Sequence, residues 1–232
     1  MLMDRRQDQV FQAKELRQNP QAFLLDNVSV KYGDFVALQS IQLSIAVGEI
    51  LFVTGASGAG KTSLMNLLAG HLDPTSGRVL KKSGHFTSYV FQDLRMMNQK
   101  SCEDNLWLAF DKSIYKNKNE FYTEMTELCK LMGVWDKLSL KVNEANGGLK
   151  QKMSMIRALL TRPHVLLADE PTSMLDRNSA VNMFEILNYY NTKRGLTIVW
   201  STHNKELIKQ FPGRLIHLDQ GKLVYSGQAC FI

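Results

Sequence analysis

Apolar positions along the chain follow two periods. Ile50-Leu51-Phe52-Val53, Val165-Leu166-Leu167-Ala168 and Leu196-Thr197-Ile198-Val199-Trp200 are short and apolar almost throughout. Runs of that kind predict strands buried on both faces. Other apolar residues recur at three and four. Leu64, Met65, Leu67 and Leu68 form one such set, and Phe121 to Met132 another. Met153, Ile156, Leu159 and Leu160 share a face, as do Val181, Phe184 and Leu187. Each set predicts a helix. Punctuation agrees: Gly70 with Asp73-Pro74-Thr75-Ser76-Gly77, then Gly133, Arg162-Pro163 and Gly195 stop the helices, and Asp176 can cap one. A helix is expected from about Leu149 to Leu160, after the polar break Asn143 to Gly148.

Ahead of these lies a stretch of β character. Phe23 to Leu25, Val28 to Tyr32, Val36 to Leu38 and Ile41 to Ile45 read as strand, with Gly33-Asp34 as a turn. This block is antiparallel in character. Arg78 to Leu80 and Tyr89 to Gln92 predict two short strands, and Leu215 to Tyr225 a closing hairpin. Residues 101–160 are mainly helical. No internal repeat is present.

One stretch carries chemistry outright. Gly55-Ala56-Ser57-Gly58-Ala59-Gly60-Lys61-Thr62 fits G-x-x-x-x-G-K-[ST], followed by Ser63. It has the context a phosphate-binding loop needs, a strand before it and a helix after it. Glycines let the backbone wrap a phosphate, and the helix N-terminus adds partial positive charge. Lys61 would reach the β- and γ-phosphates of ATP, and the Thr62 hydroxyl would bind Mg²⁺. Asp169-Glu170 ends another apolar strand. Asp169 suits the same Mg²⁺, and Glu170 can activate water beside the γ-phosphate.

Composition narrows the class. The chain has 232 residues, 44% of them apolar, enough for a sizeable core. No apolar run approaches the roughly 18 residues of a membrane span. Met1-Leu2-Met3-Asp4-Arg5-Arg6 lacks the apolar segment of a signal peptide, so a cytoplasmic chain is expected. Cys102, Cys129 and Cys230 show no metal spacing and read as reduced thiols. The net charge of +6 is spread in isolated doublets, without interleaved aromatics, so no nucleic-acid partner is expected. Residues 1–20 are polar, with Val10, Phe11 and Leu16 on a weak helical face. They read either as a loosely held extension or as a small helix touching a partner or membrane.

From about Ala22 to Tyr225 the chain resembles ABC-type ATPase subunits. Val165 to Thr172 resembles the Walker B strand, and Ser173-Met174-Leu175-Asp176 the D-loop. His203 falls at the switch histidine and Gln92 at the Q-loop glutamine, which in the family senses γ-phosphate and Mg²⁺. Tyr32 stands where an aromatic ring stacks on adenine. Ala145-Asn146-Gly147-Gly148-Leu149-Lys150-Gln151 resembles the signature L-S-G-G-x-x-Q, with Asn146 in place of serine. Asn keeps a donor through its amide but is larger, so slow hydrolysis is expected. The connection from Gly77 to Gln92 is short for the family.

The resemblance implies an α/β fold of P-loop NTPase type: a RecA-like core, an antiparallel β subdomain and an α-helical subdomain. The ATPase domain would cover 22–232 after an extension at 1–21, with the helical part inserted at about 93–160. It implies ATP and Mg²⁺ as cofactors, a head-to-tail homodimer closed by ATP, and an integral membrane partner on the inner face of the membrane. Within the family the motifs are most like the FtsE, LolD and MacB group, and most of all the cell-division member FtsE, whose partner is an FtsX-like permease. Lipoprotein-release or efflux ATPases are the alternative. A DNA-repair ATPase would need a long insertion between Gln92 and Asn146, which the chain lacks.

Overall fold

A computed structural model describes residues 20–228, apart from the side chain of Lys205. The expectations for residues 1–19 and for Cys230 lie outside the described residues. Strands β1 (Gln21–Tyr32), β2 (Phe35–Ala46) and β4 (Ser76–Lys81) form an antiparallel sheet in the order β2-β1-β4. The second sheet has six strands, with β3 (Ile50–Thr54), β5 (Thr87–Val90), β6 (Val165–Asp169), β7 (Thr197–Ser201), β8 (Arg214–Asp219) and β9 (Lys222–Gln228) in the order β5-β6-β7-β3-β8-β9. All its pairs are parallel except β8 with β9, the expected hairpin. Helices are α1 (Lys61–Ala69), α2 (Cys102–Trp107), α3 (Lys118–Leu131), α4 (Gly147–Leu160), α5 (Arg177–Arg194) and α6 (Lys205–Ile208). The α/β class, with an antiparallel sheet and a helical block, is therefore what the chain adopts.

The central strands explain how this holds together. Side chains alternate between faces, and each face meets its own core. Leu51, Val53, Val165, Leu167 and Val199 pack with α1 and the antiparallel sheet. Phe52, Leu166, Ala168, Ile198 and Trp200 face the helical block and α5 instead. Leu64, Met65, Leu67 and Leu68 of α1 are all buried, as their spacing predicts. On the other face Phe184 stacks on Phe52 at 5.6 Å and lies 5.2 Å from Trp200.

Three boundaries depart from expectation. The broken strand signals in 23–32 and 36–45 belong to two continuous strands that bulge, with Asn27 and Ser40 at positive φ. Strand β5 ends at Val90, its last partner being Ala168, so Phe91 and Gln92 lie on the loop beyond. Helix α4 starts at Gly147 because Asn146 caps it, its Oδ1 accepting from the Leu149 N–H at 2.8 Å. Cys102 and Cys129 are free and buried. Among the described residues no helix is long and apolar enough to cross a membrane.

Candidate functional site

The ends of β3, β6 and β7 lie side by side, and the parallel register puts Asp169 beside Ser201. Between β3 and α1 the chain makes the glycine loop. Its glycines are required at two places. At Gly55, φ +154, a Cβ would sit 2.5 Å from the Leu218 carbonyl oxygen. At Gly60, φ +104, it would sit 2.6 Å from that of Ala37. The loop is thus pressed onto β8 and β2 in a conformation other residues resist. No side chain caps the N-terminus of α1 and no acid lies in its first turn. Its free N–H groups suit an anion.

A cleft of about 450 Å³ opens above this loop. Gly55, Ala56, Ser57, Gly58, Gly60, Lys61, Thr62 and Ser63 line it from below, and Gln92, Asp169, Glu170 and His203 from the sides. The structure therefore gathers most of the residues that the motifs single out. Lys61 donates to the carbonyls of Gly55 at 2.9 Å and Ala56 at 3.2 Å, and lies 3.9 Å from Glu170 Oε1. These contacts hold the ammonium at the loop, where a phosphate can take it over.

Asp169 is 2% exposed. Thr62 Oγ1 donates to its Oδ2 at 2.8 Å, and Ser201 Oγ makes a very short bond to its Oδ1. A buried carboxylate held only by hydroxyls is a hard oxygen donor set open to a cation. Beside it, burial and then the Asp169 charge push the Tyr89 hydroxyl well above the usual phenol range, so it stays protonated. Glu170 sits at φ +50, its N–H donating to Ser201 O at 3.2 Å and Ser201 Oγ at 3.0 Å. His203 Nδ1 is 3.0 Å from Glu170 Oε2. The pair faces the cleft, a carboxylate oriented by an imidazole.

Not every expected residue lies here. Tyr32 is half exposed and does not line the cleft; Phe35, its partner across the hairpin turn, does, with Ala37. The aromatic wall on this side is therefore Phe35. Ala59 is buried beneath the loop, its carbonyl accepting from Gly221 N–H at 3.1 Å. Asn146, Gly147 and Gly148 line a separate depression with Met174, Lys137 and Lys152, away from the P-loop of the same chain. With Oδ1 used as a cap, Asn146 presents only its amide donors outward.

Sequence reasoning missed two supports. Ser201 was legible only by aligning strand ends, since it directly precedes Thr202-His203. Arg157 of α4 donates from Nη2 to the carbonyls of Leu94 and Arg95, both at 3.0 Å, and both those residues are at positive φ. It pins the loop after Gln92 to the signature helix.

Comparison with known proteins agrees with this geometry. The model of the ABC transporter family matches residues 38–173. A methionine import ATP-binding protein, MetN, of Bacillus subtilis strain 168 is 36% identical over 212 residues, covering 85% of this chain and 62% of that protein. MetN of Clostridioides difficile strain 630 is 32% identical over 217 residues, covering 88% and 67%. The chain thus spans a little under two thirds of the length of the first of these relatives. Among solved structures, the dimeric bacterial ABC transporter cassette MJ0796 superposes with a TM-score of 0.79 at 25% identity, over 89% of this chain and 98% of that one. A post-hydrolysis dimer of the same cassette, bound to ADP and Pi, gives 0.78 over the same shares.

Proposed function

The chain belongs to the ABC transporter ATP-binding family, a family of ATPases, and from that premise we propose that it is the ATP-hydrolysing cassette of a membrane importer. The observation that carries this is the meeting of Lys61, Thr62, Asp169, Glu170, Gln92 and His203 around one cleft. Lys61 and the N–H groups of the loop and α1 bind the phosphates of ATP, and Phe35 offers a face to the adenine. Thr62, Asp169 and Gln92 supply the oxygens that would hold Mg²⁺, and the Thr62–Asp169 contact of 2.8 Å fits an oxygen-liganded ion. When bound, Mg²⁺ would neutralise charge on the β- and γ-phosphates. Glu170 orients and deprotonates the attacking water, and His203 holds Glu170 in place.

One chain has only half of this site. Asn146-Gly147-Gly148 point away from their own P-loop, so a second copy supplies them across a head-to-tail dimer. The dimeric MJ0796 cassette supports that arrangement. The relatives named for methionine import support an importer of an amino acid of that class, with an integral membrane partner and a cytoplasmic place on the membrane's inner face. They lend no support to the expected FtsE-like role in cell division or to an FtsX-like partner. The efflux and lipoprotein-release alternative shares the chemistry but not these names.

The test is a Mg²⁺-dependent ATPase assay on the wild type and E170Q. Hydrolysis should fall by about 10²-fold or more in E170Q, while ATP binding persists and an ATP-bound dimer accumulates on size exclusion. An E170Q chain that stays monomeric with ATP and Mg²⁺ sinks the closure mechanism. Import is tested separately, by co-purifying a membrane partner and measuring methionine-stimulated hydrolysis in the complex.

A further inference from the structure

We infer that Gln151 is a positioning residue that ties the signature helix to the water-activating carboxylate of the same chain. This rests on the ATPase reading and concerns how the two half-sites carried by one chain communicate. Gln151 lies one turn into α4 and is 2% exposed. Its amide is almost fully used. Nε2 donates to Ser173 Oγ at 2.8 Å and to the Glu170 carbonyl at 3.3 Å. Oε1 accepts from the Met174 N–H at 2.9 Å. The backbone N–H can only donate, so this contact fixes which end of the amide is oxygen.

The three contacts span the turn between β6 and α5. That turn begins with Glu170 at φ +50, a conformation that persists only when its surroundings hold it. Ser201 holds the Glu170 N–H, and Gln151 shares its carbonyl with the Ser173 N–H, which donates to it at 3.2 Å. Removing one clamp frees the backbone to relax and swings the carboxylate away from His203. The same turn touches the signature directly. A Cβ on Gly147 would lie 2.4 Å from Met174 Sδ, and one on Gly148 3.1 Å from the Met174 carbonyl. Both glycines therefore pack closely against Met174. When the phosphate of the partner's ATP draws on the signature of this chain, α4 and the turn move as one body. Glu170 then answers to the neighbouring site as well as its own.

The test compares wild type with Q151M, which keeps length and apolar bulk but makes none of the three bonds, and with S173A, which removes only one of them. Nucleotide affinity of Q151M, read with a fluorescent ATP analogue at the chain's own P-loop, should stay within about twofold, because Gln151 does not line the cleft. In Q151M kcat should fall by about tenfold or more at unchanged KM, since misplacing a catalytic group by about 1 Å costs on the order of 10² in rate. The Hill coefficient for ATP should fall toward one, a change that a merely structural role would not give. S173A should show a smaller loss of the same kind. A Q151M chain with wild-type kcat and Hill coefficient overturns the inference alone. So does loss of nucleotide affinity in parallel with kcat in both variants, because that marks general damage. A wild type without ATPase activity overturns the hydrolysis reading first, and this inference with it.

Discussion

At the scale of single residues, Asn146 shows how a substitution within a motif can be read. Its Oδ1 caps α4, which leaves the amide hydrogens as the only outward donors. Serine would also cap and donate from a shorter side chain. N146S should therefore keep the fold and let the closing dimer approach more tightly, raising kcat by up to about tenfold, or 1.4 kcal/mol. Aspartate is the sharper test. N146D still caps the helix, but it sets a carboxylate where the proposed head-to-tail dimer would dock a phosphate. Loss of one donor aimed at developing charge costs on the order of 10² to 10³ in rate, so N146D should be nearly inactive while its thermal unfolding stays close to wild type. Wild-type hydrolysis by N146D would remove the signature from the site. The motifs made Asn146 findable in the sequence. Its orientation was not legible, because a cap depends on where the helix begins, and periodicity placed that start two residues late.

At the scale of elements, the central strands were legible because burial on both faces leaves apolar residues at nearly every position of Ile50 to Val53 and Val165 to Ala168. The aromatic lining of the cleft was not, since Tyr32 and Phe35 flank one turn and only the packing of that hairpin decides which of them lines it. The clamp from Arg157 to the loop after Gln92 was equally hidden, because its acceptors are carbonyls. R157M should lower stability by about 2 kcal/mol, the scale of hydrogen bonds from a charged donor, and should make the 93–98 segment the first site of proteolysis. The helical block also sets a pH limit. Burial pushes the Cys129 thiol up to about 12 and raises that of Cys102. The unfolded chain loses these protons first as pH rises above the ordinary thiol value near 9. Stability should then be intact below that value and fall above it, up to about pH 12 for Cys129, by at most about 1.4 kcal/mol per pH unit for each thiol. Urea denaturation at pH 7, 9 and 10.5, with and without both cysteines replaced by alanine, measures that slope.

At the scale of the whole molecule, the question is whether two chains complete each other. The P-loop cleft and the signature depression lie on different parts of one chain and share no residue. In a symmetric head-to-tail pair, each active site would take its P-loop from one copy and its signature from the other. Two inactive variants then make a decisive mixture. K61A destroys the P-loop half and leaves the signature whole, while N146D does the reverse. In the mixed dimer one site inherits both defects and the other inherits neither. Random pairing at equal amounts gives half mixed dimers, each with one intact site, so activity should recover to at most about one quarter of wild type. A single chain carrying both substitutions, mixed in equal amount with wild type, should cut the activity of those wild-type chains by about half, because it spoils both sites of every mixed dimer and leaves only the wild-type pairs active. If sites were complete within each chain, the first mixture would show only the residual rates of its parents. Recovery from two inactive parents in the first mixture, and loss of about half the wild-type chains' activity in the second, is the pattern that a shared site requires.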